Sequence, residues 1–367
     1  MTKYYTIINK IIGVHMKYKF LGRSGLRVSE LCLGAMTFGE EWGWGSPKDT
    51  SRAIFDAYAD AGGNFIDTAN FYTEGTSEKL VGEFIEKRRE QFVIATKYSL
   101  SMNPKDPNAS GNHRKNMRQS VEASLKRLKT DYIDLYWLHI WDDVTPVDEV
   151  MRSLDDLVRA GKILYVGISD APAYIISQAN TMADLRGWTP FVAMQLEYSL
   201  IERRIEREHF SLARDFGLAI CPWSPLGMGA LTGKYATKEE QNARFSKDPS
   251  WAKVYLTERN LKIIEKVQQV SKEVNRSPAQ VAINWVLQQG NDVIPIIGAS
   301  KLPQLKDNLA STEFKLTQKQ LDQLNEVSNI DLGFPNEFMH RSQILDILFG
   351  EAKDKIDSPR MYKGKTF

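Results

Sequence analysis

An α/β fold of the (β/α)8 TIM barrel type is predicted by three features: eight short β-rich apolar runs, segments of helical period between them, and no GxGxxG turn after the first run. The last feature argues against a doubly wound dinucleotide fold. A chain of 367 residues is long enough for one such barrel with insertions. The predicted strands are Glu30 to Gly34, Asn64 to Thr68, Phe92 to Lys97, Tyr132 to His139, Ile163 to Ser169, Phe191 to Tyr198, Leu218 to Trp223 and Val293 to Gly298.

Ahead of the first strand, Tyr18 to Phe20 and Leu26 to Val28 flank the turn Gly22-Arg23-Ser24-Gly25, which reads as a β-hairpin suited to plug one barrel mouth. The spacing over Ser51 to Ala61 puts Ile54, Ala57, Tyr58 and Ala61 on one helical face, and Gly62-Gly63 supply a left-handed stop. A second helix is predicted from Thr145 as N-cap and Pro146 at the first helical position, with Met151, Leu154 and Val158 as its buried stripe and Gly161 as its end. Three segments exceed ordinary loop length: Ser99 to Arg114, Gly227 to Leu256 and the tail after Asn329, giving long loops at the C-terminal mouth. Residues 1–15 read as an extension before a natural start at Met16, or as a strand or tail packed on the barrel. Residues 16–367 read as a single domain that includes the tail.

Composition narrows the function. With 48 basic and 46 acidic residues the chain carries +2 with histidines neutral, so no global field draws in nucleic acid or an anionic membrane. Its 42% hydrophobic and 26% charged content excludes disordered and mini-protein classes. Cys32 and Cys221 stand alone in apolar runs without metal-ligand spacing, which fits a reducing cytoplasm and predicts no metal site. No stretch approaches the ~20 apolar residues of a membrane span.

Barrel chemistry sits at the C-terminal ends of the strands. Strand two ends in Phe65-Ile66-Asp67-Thr68-Ala69 with Tyr72 beyond it, strand three in Ala95-Thr96-Lys97 and strand four in Trp137-Leu138-His139. Three consecutive strands thus deliver Asp67, Tyr72, Lys97 and His139 to one mouth. An ammonium beside a tyrosine favours its phenolate, so Lys97 is expected to tune Tyr72 as a proton donor. Asp67 is expected to hold Lys97, and His139 to orient a substrate oxygen. Taken singly, each residue has a purely structural alternative: a turn cap, a loop aromatic, a solvated charge or core filling. Coincidence at adjacent strand ends is what favours chemistry.

These motifs resemble, in order, the tetrad of the aldo-keto reductase superfamily, of the bacterial type related to aryl-alcohol dehydrogenases and potassium-channel β-subunits. The likeness extends from about Tyr18 to Ala310, through Gly167-Ile168-Ser169, Gln195-Leu196-Glu197-Tyr198, Trp223-Ser224-Pro225-Leu226 and Gly298-Ala299-Ser300. It implies an NADPH-dependent oxidoreductase in which Tyr72 is the general acid, Lys97 and Asp67 its tuning pair and His139 the substrate-orienting group. It also implies that NADP(H) stacks its nicotinamide on Trp223, with Ser169 and Gln195 on the carboxamide and Met36 and Asp67 among the contacts. Ser224, Pro225, Leu226, Gly227 and Lys234 would line the pyrophosphate, with Arg244 on a belt closing over it. Ser300, Gln304, Asp307 and Asn308 would meet the adenosine end, helped by Lys301. The family usually has asparagine after the serine where this chain has Asp170, which as a carboxylate only accepts hydrogen bonds.

The reading is a cytoplasmic enzyme that reduces an aldehyde or ketone, with a small-molecule carbonyl substrate, no nucleic-acid or membrane partner, and a monomeric or homo-oligomeric state. Two alternatives use the same fold: an NADP(H)-binding regulatory subunit, against which the intact His139 argues, and a Schiff-base aldolase through Lys97. A sugar-phosphate isomerase would use a carboxylate base instead. Met36, Phe38, Trp42, Trp44, Tyr98 and Trp141 follow strands one, three and four and read as an apolar substrate wall or as core and lid packing. Phe334, Phe338 and Met339 in the tail are candidates to cover the mouth or to support an oligomer.

Overall fold

The computed structural model of the chain describes residues 16–236 and 249–356, so the expectations for residues 1–15 and for Arg244 lie outside the described residues. Strands β1 (Tyr18–Phe20) and β2 (Arg27–Ser29) pair antiparallel as the expected hairpin. Gly22 in its turn has φ +55°, and a Cβ there would stand 2.2 Å from the Val192 carbonyl oxygen, so the close approach requires glycine.

Eight parallel strands follow: β3 (Cys32–Gly34), β4 (Phe65–Asp67), β5 (Val93–Tyr98), β6 (Ile133–Leu138), β7 (Ile163–Ser169), β8 (Phe191–Gln195), β9 (Ala219–Ile220) and β10 (Ile296–Gly298). They are bonded in the order β10-β3-β4-β5-β6-β7-β8-β9, and a parallel bridge between Ile220 and Val293 joins the two edges. The sheet therefore closes into a barrel and leaves no open edge. The last two strands are shorter than expected because Pro222 and Pro295 have no N–H for the ladder. Their carbonyls still take part: Ile296 N donates to Pro222 O at 2.8 Å and Cys32 N to Pro295 O at 3.0 Å.

Helices α1 (Lys48–Asp60), α2 (Thr76–Ile85), α3 (Arg114–Leu128), α4 (Val147–Arg159), α5 (Ala173–Arg186) and α6 (His209–Phe216) alternate with β3 to β9. Between β9 and β10 lie α7 (Pro249–Tyr255), α8 (Glu258–Val274) and α9 (Pro278–Leu287); α10 (Leu302–Leu309) and α11 (Gln318–Ser328) follow. Helix α1 begins at Lys48 rather than Ser51, buries Ile54, Phe55 and Tyr58, and ends before Gly62 at φ +88°. Helix α4 departs from expectation at its start. Pro146 is the N-cap, and Thr145 Oγ1 donates to Asp142 Oδ2 at 2.7 Å, because that carboxylate also gathers the N–H groups of Val144 and Thr145. Among the described residues no helix is long and apolar enough to cross a membrane.

Side chains alternate across each strand, so every second residue enters the barrel. Cys32, Phe65, Val93, Ala95, Leu135, Trp137, Ala193, Ala219 and Cys221 form this interior cluster with Leu21 and Val28 of the hairpin. Leu21 and Val28 are fully buried against residues such as Phe65, Val93 and Leu135 at the strand starts, so the hairpin plugs the N-terminal mouth. Midway up, a Cβ on Gly167 would come 2.3 Å from the Trp137 ring, so the glycine makes room for the indole that floors the upper half of the barrel.

Candidate active site

Two residues further along each strand, the inward positions turn polar. Above Phe65 comes Asp67, above Ala95 Lys97, above Trp137 His139, above Gly167 Ser169, above Ala193 Gln195 and above Cys221 Trp223. The period of the strand therefore stacks one chemical layer on one apolar layer at the C-terminal mouth.

Lys97 lies at the centre of that layer, fully buried. Its Nζ donates to Asp67 Oδ2 at 2.5 Å, to the Thr68 carbonyl at 2.8 Å and to Tyr72 Oη at 3.0 Å, filling the three donor positions of an ammonium. Burial alone would lower its pKa. The charges and hydrogen bonds of Asp67 and Tyr72 outweigh that, and the ammonium is held above its ordinary range. The other Asp67 oxygen accepts from Gln195 Nε2 at 3.0 Å, a bond across the barrel that the sequence does not reveal. Gln195 keeps its Oε1 as an acceptor.

Tyr72 stands in a loop held by strain and by local bonds. Thr73 and Glu74 after it have φ of +47° and +54°, a left-handed conformation that costs non-glycine residues about 1–2 kcal/mol each. Thr73 Oγ1 donates to the Phe38 carbonyl at 2.7 Å and accepts from Ser77 N at 3.1 Å, which pins the turn to the first barrel strand's loop and to α2. Burial raises the phenol pKa, and the opposing pull of Lys97 reduces the rise without cancelling it. Lys97 thus pulls the phenol in the expected direction, but burial outweighs that pull and the hydroxyl keeps its proton.

The ring of His139 meets that of Tyr72 edge-on at 5.7 Å. Its Nδ1 is buried without a hydrogen-bond partner. Burial, and then the nearby Lys97 charge, push the imidazole pKa well below its ordinary value, so the ring is neutral.

Ser169 and Gln195 are register partners on β7 and β8, both buried at the strand ends. Asp170 follows with φ +42°, and its Oδ1 accepts from Trp223 Nε1 at 3.0 Å. The Trp223 ring is thereby pinned at its polar edge while remaining half-buried. Ser224, also left-handed at φ +55°, accepts from Met228 N at 2.7 Å through its Oγ and starts a winding segment through Leu226 and Gly227 to the turn at Lys234. The Lys234 ammonium lies 5.0 Å from the Tyr235 ring centroid.

At the far rim Gln304 Oε1 accepts from both the N–H and the hydroxyl of Ser300, at 3.0 and 3.2 Å. Asp307 faces α9, where its carboxylate accepts from Ser277 Oγ at 2.8 Å and Gln280 Nε2 at 2.7 Å; Asn308 is buried and donates to the Gly298 carbonyl at 3.1 Å. These two therefore hold α10 in place, and Ser300 and Gln304 are the members of the set left at the surface.

The aromatic supply divides. Trp42 packs against Trp44 (5.4 Å), Phe71 (5.7 Å) and, edge-on, Tyr72 (6.3 Å), an apolar wall beside the phenol. Phe71 belongs to this wall and was missed by sequence reasoning, although its position next to Tyr72 was the available signal. Phe38 and Tyr98 do not line it. Phe38 packs on Phe84, and Tyr98, one residue past Lys97, points to the opposite face and stacks on Tyr136 at 5.3 Å. Trp141 packs against the outer core, and Met36 is half-buried beyond β3. The tail is bonded to the β8–α6 connection, where Arg207 donates to the Asp331 carbonyl and its own carbonyl accepts from Asn336 Nδ2 at 3.0 Å; Phe334 is 84% exposed and packs on Phe338 within the tail at 5.9 Å.

A closed barrel whose C-terminal mouth bonds an acid, an ammonium and a phenol, with a neutral imidazole packed edge-on against the phenol, defines the class of protein: an α/β barrel with a buried polar site at its C-terminal mouth. The family model described as "Aldo/keto reductase family" matches residues 30–329, and the chain belongs to that family of oxidoreductases. It is 39% identical over 342 residues to norsolorinic acid reductase stcV of Emericella nidulans, covering 90% of this chain and 86% of that protein. It is 36% identical over 354 residues to aryl-alcohol dehydrogenase [NADP(+)] of Phanerodontia chrysosporium (90% and 88%), and 37% identical over 325 residues to aryl-alcohol dehydrogenase GME11368 of Pestalotiopsis microspora (86% and 83%).

Proposed function

We propose that this protein reduces an aromatic aldehyde or ketone to the alcohol with NADPH, Tyr72 protonating the nascent alkoxide. The observation that carries the reading is the three-way bonding of Lys97 to Asp67, Thr68 and Tyr72. A phenol that already donates or accepts beside a permanent ammonium loses its proton to an alkoxide at less electrostatic cost than an isolated buried tyrosine. Neutral His139 offers an N–H to the carbonyl oxygen and brings no competing charge. NADPH supplies the hydride when bound.

The residues present fit that cofactor. Ser169 and the Oε1 of Gln195 offer a donor and an acceptor to a carboxamide, and the pinned Trp223 offers a flat face to its ring. Met36 and Asp67 complete that end. Ser224, Pro225, Leu226, Gly227 and Lys234 would hold the pyrophosphate, and Ser300 and Gln304, backed by Asp307 and Asn308, the adenosine end. The wall of Trp42, Trp44 and Phe71 supports an aryl substrate, as do the names of the aryl-alcohol dehydrogenase relatives. A Schiff-base role for Lys97 is disfavoured because its ammonium is held protonated, and only the free amine attacks a carbonyl.

The test is NADPH consumption with 4-nitrobenzaldehyde by wild type and Tyr72→Phe, repeated with NADH. We expect turnover with NADPH to fall by about 10²–10⁴-fold in Tyr72→Phe while cofactor affinity stays within about twofold. Unchanged turnover in that variant overturns the assignment of the acid. Tight NADPH binding with no turnover across a wide carbonyl panel transfers the reading to a regulatory subunit.

A further inference from the structure

Asp170 places a carboxylate just past the end of β7, beside Trp223, and among the described residues no ion pair is formed with it. Its recorded side-chain partner is the indole N–H of Trp223, at 3.0 Å. Its backbone is locked as well: its N–H donates to the Gln195 carbonyl at 3.2 Å, and its carbonyl accepts from Trp141 N at 3.3 Å. The acid therefore sits at the edge of the indole, between two of the residues read above as nicotinamide contacts. The nicotinamide ring is neutral in NADPH and carries a positive charge in NADP+.

We infer that Asp170 is an electrostatic selector of cofactor redox state: as a carboxylate beside the Trp223 platform it favours the oxidised, cationic ring over the reduced, neutral one. This rests on the proposed NADP(H) reading of the site. A fixed negative charge in a water-poor pocket would act with little screening on the charge of a ring held against Trp223, whereas an amide of the same shape supplies only a dipole. The same preference favours hydride donation to the carbonyl, since both electrons leave the ring as its positive charge appears, and it holds NADP+ more tightly afterwards.

The charge is itself titratable. Burial raises the Asp170 carboxyl to about 6, against the pull of the Trp223 hydrogen bond and the Lys97 charge. The other ionisable groups in its field are Tyr72, from the β4 loop, and Glu197, beyond β8, whose own carboxyl is raised by burial. Selection is accordingly present above about pH 6 and lost below it.

Calorimetric titration of the full chain with NADP+ and with NADPH, at pH 5 and pH 7.5, tests this. Asp170→Asn keeps the shape and an acceptor for the indole N–H. We expect the ratio Kd(NADP+)/Kd(NADPH) to rise about tenfold in that variant at pH 7.5, and wild type to approach the same ratio at pH 5. Trp223→Phe removes the hydrogen bond, which also lets the carboxyl rise further, so it is compared with wild type at pH 8.5, where the charge remains; there it should weaken both cofactors and keep the wild-type ratio. Binding of both cofactors with an unchanged ratio in Asp170→Asn overturns the selector while the proposed function stands. A ratio altered equally by Trp223→Phe also overturns it, since position rather than charge would then be responsible. Failure of wild type to bind either cofactor overturns the cofactor reading itself.

Discussion

Lys97 and Asp67 form a buried ion pair, and its energetics are those of any charge taken out of water: tolerable when paired, expensive when not. Asp67→Asn leaves the Lys97 ammonium with weakened compensation. It should lower stability by about 3–5 kcal/mol in urea unfolding, while the double variant Asp67→Asn/Lys97→Met should recover a large part of that loss. A double variant as unstable as the sum of both singles would show that the pair is not the coupled unit. Asp170 makes an opposite prediction at the same scale. Its folded pKa, about 6, lies above the ordinary carboxylate value of 3.8, so between those limits the folded state binds more protons than the unfolded one. Its contribution is therefore fully present below about pH 4 and is lost as pH rises through about 6. Asp170→Asn should be more stable than wild type at pH 7.5, by on the order of 3 kcal/mol, with the difference closing near pH 4; equal pH profiles for the two proteins in urea unfolding would contradict it.

The barrel strands perform two tasks through one period. Their lower inward residues pack with the hairpin, and their upper inward residues carry the chemistry, so core and site are separable along the barrel axis. Leu21 tests the separation. It is fully buried at the plugged end, so Leu21→Ala should cost about 2–5 kcal/mol in chemical denaturation while kcat with an aryl aldehyde stays within about twofold. A parallel loss of activity in the folded variant would mean that the plug positions the site. The sequence made much of this legible. Eight strands were readable because each is a short β-rich run bounded by turn residues, and the tetrad was readable because barrel strands end in their functional groups. The Thr145 cap was misread because the competing partner, Asp142, lies in the same turn and collects the hydroxyl. Phe38 and Tyr98 follow the core-packing alternative, which the sequence could not choose because nearness to a strand end does not say on which side of the strand a ring falls.

Across the whole molecule, closure of the barrel brings residues far apart in the chain into one bonded layer, and the tail remains peripheral. Helices α12 (Asn336–Met339) and α13 (Ser342–Phe349) bury no residue, and Ile347 is 81% exposed. Deleting residues after Asn329 should therefore leave the thermal midpoint within about 2 °C of wild type, measured by calorimetry. A larger fall would show that the Arg207 bonds to the tail support the barrel.

The sequence by itself determined the strand-and-helix alternation, the hairpin and the mouth at which Asp67, Tyr72, Lys97 and His139 meet, because hydrophobic period and strand-end position are local properties. Only the tertiary structure decided that Gln195 holds Asp67, that Asp170 holds Trp223 and that burial overrides Lys97 at Tyr72. Those depend on which side chains face each other across a closed barrel and on how much water the closure removes, and neither quantity is written in the order of residues along the chain.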